Sequence, residues 1–426
     1  MRLAAISDLH CGDPMGSLVG FDPAGNPVLG SMYSDLVKAV GGKLDYLVLL
    51  GDVLDCSIVG YEKAFAAAKV LFTKMQEDGL TTTFIYVPGN HDFDIWTAVE
   101  YEVNIIHQIG AGKVPRKFKM AVPGVVDDRP DAVTRGAMLP GVTIRSGPDP
   151  YGGLFLDHIS EPDQDPGNFI FVYPNLYLVT DEGESVLLTH GHYLEYFWTL
   201  LGEWTIGILQ EGLKIDDVPT IKQLVSINFP LCQASCSGIG QAGPLTDTIR
   251  KIQRDVKDHN LGNVKKYMDR IDNKIDDLFD YSAFNPKEWL TDAISNNLKK
   301  DLMESLGKYN DTRYDDEFIY NPEVRDRFWR YYASCKRELE SIERDSKLNI
   351  PAPLKLIFGH THVPISWDTV DPPHASHEQL TDNKRLDLFN TGGWLWRRND
   401  AGQKVFGGAE VFLYETGKGI TSVAVQ

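Results

Sequence analysis

The chain has 426 residues, 42% of them hydrophobic and 24% charged, the composition of a globular protein of two or three domains rather than a disordered one. Its net charge of −18 argues against a broad footprint for nucleic acid or an anionic membrane, while leaving room for a local basic groove. Only four apolar residues follow Met1-Arg2, and no run approaches the roughly 18 residues of a bilayer span, so neither a secretory leader nor a transmembrane segment is expected.

The first apolar run, Leu3-Ala4-Ala5-Ile6, reads as a strand delivering Ser7-Asp8-Leu9-His10. A helix is predicted over 31–40, and Tyr46 to Leu50 is a second buried strand, stopped by Gly51 before Asp52. An Ala-rich helix follows over 61–75. The β-branched and aromatic run 82–87 is a third strand, halted by Pro88-Gly89 ahead of Asn90-His91-Asp92, and helical spacing resumes over 95–109. Strand and helix alternating at this rhythm predict βαβ units and a largely parallel sheet. Residues 114–166 read as loops with short strands. Strands are expected at 169–173, 176–179 and 185–188, the last delivering His190-Gly191-His192.

Composition shifts after His192. Residues 193–213 are aromatic and apolar, including Tyr196, Phe197, Trp198 and Trp204. Three amphipathic helices are predicted from apolar steps of three and four at Val264–Leu278, Leu290–Leu306 and Val324–Ile342. Residues 193–350 therefore read as a helical, cap-like insertion between two core segments, 1–192 and 351–426. The core pattern returns at Leu354–Phe358, which delivers Gly359-His360-Thr361-His362, and continues through 386–394 to closing strands near 409–414 and 420–425.

The strand ends collect Asp8, His10, Asp52, Asn90, His91, His190, His360 and His362. Carboxylates, imidazoles and an amide oxygen suit divalent Mn, Fe or Zn. Both side chains of Asp-x-His and His-x-His lie on one side of an extended segment, and seven ligands exceed what one ion needs. On Asp8-Leu9-His10, Gly51-Asp52-Val53-Leu54-Asp55, Gly89-Asn90-His91-Asp92, His190-Gly191-His192 and Gly359-His360-Thr361-His362, the chain resembles the calcineurin-like metallophosphoesterase superfamily over 1–110, 169–192 and 354–394. That resemblance implies an α/β fold, a two-sheet β-sandwich flanked by helices. It implies two divalent transition metal ions, one held by Asp8, His10, Asp52 and His362. The other is held by Asp52, Asn90, His190 and His360, with Asp52 bridging. It also implies a metal-activated hydroxide attacking phosphorus, His91 donating a proton or hydrogen bond, and Asp92 orienting His91.

The implied activity is metal-dependent hydrolysis of phosphate esters or pyrophosphates, on a small-molecule or lipid-linked substrate. A nuclease shares these motifs, but Lys and Arg do not outnumber Asp and Glu across 191–350, so nucleic acid is not the expected partner. A non-catalytic metal-binding scaffold is the remaining alternative, and it would be expected to have lost ligands. The aromatic stretch 193–213 reads as packing or as an apolar lid. In having helices after the His-Gly motif the chain resembles bacterial UDP-diacylglucosamine pyrophosphatases, with no matching residues inside the insertion. Asp55 reads as a loop cap, His192 as a loop residue and Cys11 as small and buried; His374 and His377 lie in a loop that could approach the pocket. His107, His158 and His259 carry no motif. Five thinly spread cysteines point to a reduced, cytoplasmic setting, and Cys232 and Cys236 could share a helix face without the second pair that zinc needs.

Overall fold

The computed structural model describes residues 1–132, 136–138, 142–145, 168–195, 218–233, 314–375, 385–399 and 401–426, with a few isolated positions between 236 and 266. The first strands are β1 (Arg2–Ile6), β2 (Val19–Phe21), β3 (Pro27–Leu29), β4 (Tyr46–Leu50), β5 (Thr83–Val87), β6 (Gly124–Asp127), β7 (Gly136–Met138), β8 (Val142–Arg145) and β9 (Asn168–Phe171). They continue as β10 (Asn175–Val179), β11 (Ser185–Thr189), β12 (Lys355–Phe358), β13 (His374–Ala375), β14 (Leu386–Asn390), β15 (Trp396–Arg398), β16 (Lys404–Phe406), β17 (Ala409–Glu415) and β18 (Gly419–Val425). The helices are α1 (Tyr33–Val40), α2 (Tyr61–Glu77), α3 (Phe93–Tyr101), a π-helical turn (Glu102–Ile106), α4 (His107–Gly110), α5 (Ile221–Gln233) and α6 (Pro322–Ser346).

Two seven-stranded sheets form, in the orders β18-β17-β1-β4-β5-β9-β8 and β13-β14-β12-β11-β10-β6-β7. The centre of the first, β1, β4, β5 and β9, is parallel, with antiparallel partners at both edges. In the second, β11, β12 and β14 run parallel. Alternate residues explain the layering. Leu3, Ala5, Val48, Leu50, Ile85 and Val87 of the first sheet share one core with Leu176, Leu178, Val186, Leu188, Ile357 and Phe389 of the second. The intervening residues, such as Ile6, Leu47, Leu49, Phe84, Leu187 and Phe358, join a separate core with the helices. Strands buried on both faces read as unbroken apolar runs, which is how the sequence shows them. The mixed α/β architecture of sheets and flanking helices is the one expected.

Several boundaries differ from expectation. The helix predicted over 95–109 starts at Phe93 and is interrupted by the five-residue π turn. The hairpins β2–β3 and β15–β16 had no strong alternation to announce them. The third predicted insertion helix is α6, longer at both ends, with Pro322 in its first turn and Asn321 capping it by accepting from Glu323 N at 2.8 Å. The second predicted insertion helix, the first apart from Lys265 and Lys266 (which are helical), most of the aromatic stretch 193–213, and His158, His259 and His377 lie outside the described residues. His374 is on the edge strand β13, paired with Asp387 near the start of β14, so it sits in the sheet away from the strand ends. No helix among the described residues is long and apolar enough to cross a membrane.

Helix α6 is fastened to the second sheet by polar groups as well as by the Phe328–Phe358 ring contact at 5.2 Å. Tyr331 OH donates to Asn175 Oδ1 at 2.7 Å, while Asn175 Nδ2 and Tyr177 OH both donate to Glu338 Oε2 at 2.8 Å. Burial nevertheless pushes the Glu338 carboxyl up to about 7, because desolvation outweighs the two donors. An unfolded Glu titrates near 4.5, so between there and 7 the folded chain keeps a proton that the unfolded chain has lost. This group's contribution to stability therefore falls as pH rises through that window. Relative to Glu338→Gln, the wild-type protein should lose roughly 3 kcal/mol of stability across it, read as diverging melting temperatures. Parallel melting curves at every pH would refute this role.

Candidate metal centre

Every predicted ligand lies just past the carboxyl end of a strand, and strands of both sheets contribute. Asp8 and His10 follow β1, Asp52 follows β4, and Asn90 and His91 follow β5; His190 follows β11, and His360 and His362 follow β12. Ladder-like backbone bonds continue beyond the strands: Asp8 N donates to Gly51 O at 3.0 Å, His10 N to Asp52 O at 2.9 Å, and Gly359 N to His190 O at 2.9 Å. Glycines allow the loops to close on one another. A Cβ at Gly89 would lie 2.2 Å from Asp52 Oδ1, and one at Gly359 would lie 2.4 Å from Asp8 Oδ2.

The backbone there is strained. Asp8, His10, Asp52, His360 and His362 all have positive φ, between 45° and 70°. Among the described residues only Tyr314 and Lys347 share this among non-glycines. Left-handed backbone costs an L-residue about 1–2 kcal/mol, so its concentration on five predicted site residues marks a place where the fold overrides local preference.

All seven predicted ligands are 0–7% exposed. They form two groups: Asp8, His10 and His362 in one, Asp52, His190 and His360 in the other. Asp52 Oδ2 stands 3.3 Å from His190 Nε2 and 3.8 Å from His10 Nε2, so it faces both groups. Asn90 Oδ1 lies 3.1 Å from His190 Nε2. Asp8 Oδ1 is buried with no hydrogen-bond partner, yet it lies 3.0 Å from His362 Nε2 and 3.8 Å from His10 Nε2. His10 and His362 also turn their Nε2 atoms toward each other at 3.2 Å. A cation between these atoms satisfies all three at once, so the donor set fits a divalent transition metal.

One imidazole nitrogen each of His10, His190 and His360 is tied down. His10 Nδ1 pairs with Asp55 Oδ2 at 2.9 Å, His190 Nδ1 donates to Leu50 O at 2.9 Å, and His360 Nε2 pairs with Glu195 Oε2 at 2.7 Å. Each bond fixes a ring so that one nitrogen faces inward, the arrangement that orients metal-ligating histidines. Electrostatics without metal show the same crowding. Burial works against charge on every group here. It is outweighed at Asp8 by His362 and His10, and at Asp52 by His190 and His91, so both carboxyls are held well below the usual range. His190 is raised to about 9, chiefly by Asp52 acting against desolvation.

One predicted role is overturned. Asp92 does not orient His91: its oxygens accept from Gly89 N at 2.6 Å, Val53 N at 2.8 Å and Tyr86 OH at 2.6 Å, which stitch the two loops together beneath the site. Its ring-orienting role belongs to Asp55, whose Oδ1 meets His91 Nδ1 at 2.9 Å, with Ser57 Oγ at 2.5 Å from the same nitrogen. Asp55 also accepts from Ile58 N at 3.0 Å, so the expected capping role holds and a second is added. His91 is the accessible member, with 16% of its side chain exposed. His192 is buried rather than looped out, its Nε2 3.2 Å from Tyr173 OH and its titration pushed well down by burial and by His190 and His360. Cys11 is buried, as expected.

Sequence reasoning missed Glu195 and Tyr314. Tyr314 N donates to Thr361 O at 2.7 Å and its ring meets His362 edge-on at 5.3 Å, with the Arg397 guanidinium 5.2 Å over the ring. A carboxylate lying inside the aromatic run Tyr193 to Trp198 was the one signal available for Glu195, since an acid there needs a partner. Cys236 Sγ donates to Asn90 O at 3.1 Å, so its thiol serves a hydrogen bond and burial pushes it well up.

If Asp55 and Glu195 orient ligands, Asp55→Ala and Glu195→Ala should each weaken transition-metal affinity by about 10- to 100-fold in a chelator-competition titration. Asp92→Asn should instead lower thermal stability while leaving metal affinity within a few fold. Equal metal affinity in all three variants and wild type would rule out the orienting assignments.

A family model for calcineurin-like phosphoesterases matches residues 1–223, just over half of the chain. The match takes in the ends of β1, β4, β5 and β11 and stops before His360 and His362. No curated protein matches the chain.

Proposed function

The chain belongs to the calcineurin-like phosphoesterase family, and from that membership we propose that it is a two-metal hydrolase of phosphate esters or pyrophosphates with a small or lipid-linked substrate. The observation that carries the reading is the position of Asp52, whose Oδ2 faces both His10 and His190 and so supports a carboxylate shared by two cations. On this reading Asp8, His10, Asp52 and His362 hold one ion, and Asp52, Asn90, His190 and His360 hold the other. Bound there, two divalent transition ions, Mn, Fe or Zn by the donor chemistry, would supply Lewis-acid neutralisation of the phosphoryl oxygens and a lower pKa for the attacking water.

The protein's own residues do the rest. His91 is partly exposed beside the buried ligands, and Asp55 and Ser57 occupy its Nδ1, which leaves Nε2 to meet the substrate. Burial opposes protonation of that ring, but Asp55 and Asp52 raise its titration above the ordinary histidine value, so it is suited to donate. The proton goes to the leaving-group oxygen, or the N–H holds a phosphoryl oxygen as charge develops on it. Asp55 keeps the ring at one angle, and the His91 backbone N–H, donating to Asp52 Oδ1 at 2.8 Å, fixes the distance between donor and ligand set.

Purified protein should carry about two transition ions per chain by elemental analysis and hydrolyse an aryl phosphate ester or diester. Asp52→Ala should lower that turnover by about a thousandfold or more and reduce occupancy of both sites together. Unchanged turnover in Asp52→Ala, or full activity in chelator-stripped wild type, would defeat the two-metal reading. His91→Asn should keep the metals and lose kcat by about 100-fold or more.

A further inference from the structure

Away from the candidate site, one edge of the molecule combines exposed aliphatic side chains with concentrated positive charge. Between Val103 and Val126 the chain has no acidic residue, but it carries Lys113, Arg116, Lys117 and Lys119, in a protein of net charge −18. Tyr101, Ile106, Ile109 and Val114 in and beside this stretch are 49%, 53%, 60% and 85% exposed. The first three lie on the helix and its π turn, which is hydrogen-bonded from i to i+5, and Lys113 and Val114 lie just beyond the helix end at Gly110.

The patch is built rather than frayed. Lys113 N donates to Gln108 O at 2.8 Å, and Arg116 N to Asn104 O at 2.7 Å, so the strap folds back along its own helix. Lys119 N donates to Glu100 Oε2 at 2.6 Å, and the Phe118 ring sits 5.9 Å from both Tyr101 and Phe229. None of the described carboxylates forms an ion pair with Lys113, Arg116 or Lys117, which are themselves exposed. Their charge is therefore directed at solvent.

We propose that this edge, Tyr101 to Lys119, docks the protein on an anionic lipid surface. Ile106, Ile109 and Val114 enter the headgroup boundary while Lys113, Arg116 and Lys117 pair with lipid phosphates. Charge and shape select this occupant. A second copy in two-fold contact would set the cations against themselves. Single-stranded nucleic acid is held by stacking on successive aromatic faces, whereas three of the four exposed apolar side chains here, Ile106, Ile109 and Val114, are aliphatic. The 85% exposure of Val114 marks a protruding tip, which enters a bilayer surface more readily than it fills a groove on a folded partner.

The test is co-sedimentation of the full chain with vesicles of phosphatidylcholine alone and of phosphatidylcholine with phosphatidylserine. Binding should require phosphatidylserine and weaken with added salt. K113A/R116A/K117A should lower partitioning about a hundredfold, near fivefold per cation. I106S/I109S should also lower it, and both variants should retain wild-type hydrolysis of a soluble aryl phosphate. The proposal is overturned if wild type ignores phosphatidylserine or if both variants partition like wild type. It is equally overturned if the same substitutions instead abolish DNA binding or self-association of a protein that shows no vesicle binding.

Discussion

Asp52 divides its buried carboxylate between two tasks, and the candidate site depends on both. Oδ1 accepts the His91 N–H, and Oδ2 faces His190 and His10 from the two ligand groups. Its carbonyl accepts from His10 N while its own φ is 51°. A carboxylate with 1% exposure is tolerable only when cations or donors surround it. Here the surroundings are imidazoles, delivered by strands of two different sheets. The sandwich core between β4 and β11 is what brings His190 to Asp52, so packing of Val48 and Leu50 against Val186 and Leu188 is a precondition of the chemistry.

The same arrangement explains why strain and charge collect in one place. Five predicted ligands in left-handed backbone, at about 1–2 kcal/mol each, would not persist in an isolated loop. They persist because their N–H groups are bonded across the site: Asp8 to Gly51, His10 to Asp52, and His360 to the Asp8 carboxylate at 3.0 Å. In the two-metal reading, cations held by Asp8, His10, Asp52 and His190 would take the place of protons on the imidazoles, at a site that the unfolded chain lacks. Their binding free energy would for that reason add to folding.

Much of this was legible in the sequence, and the part that was not has a common cause. Apolar runs ending in Gly, Asp, Asn or His are local patterns, so the strands that carry the site and the seven strand-end residues could be read directly. Partners that approach from elsewhere in the chain could not. Asp92 looked like the orienting carboxylate because it adjoins His91, yet the loop turns it down toward Val53 and Tyr86, and Asp55 reaches the ring from the neighbouring loop. Glu195 and Tyr314 carry no motif. They matter through tertiary contacts with His360 and His362, over 165 positions in the first case. The π turn was likewise hidden, because one additional residue in a helix barely disturbs an apolar pattern.

Those contacts bear on how the residues between the core segments should be regarded. Glu195 holds His360, Tyr314 packs on His362, Cys236 donates to the Asn90 carbonyl, and Tyr331 OH lies 3.2 Å from Thr189 Oγ1 beside His190. A cap that merely covered a finished pocket would touch its rim, whereas these residues touch the ligands or the residues next to them. Helix α5 is joined to α3 in the same way, through Gln233, which bonds both Thr97 and Asp94. Because α3 begins two residues after His91, the proposed proton donor, and runs through the π turn into Ile109, the proposed docking edge begins at the far end of the helical rod that leads from the His91 loop. That rod is on the order of 25 Å long. Contact of its far end with a lipid surface would set the orientation of the His91 loop toward that surface without any change in the site itself.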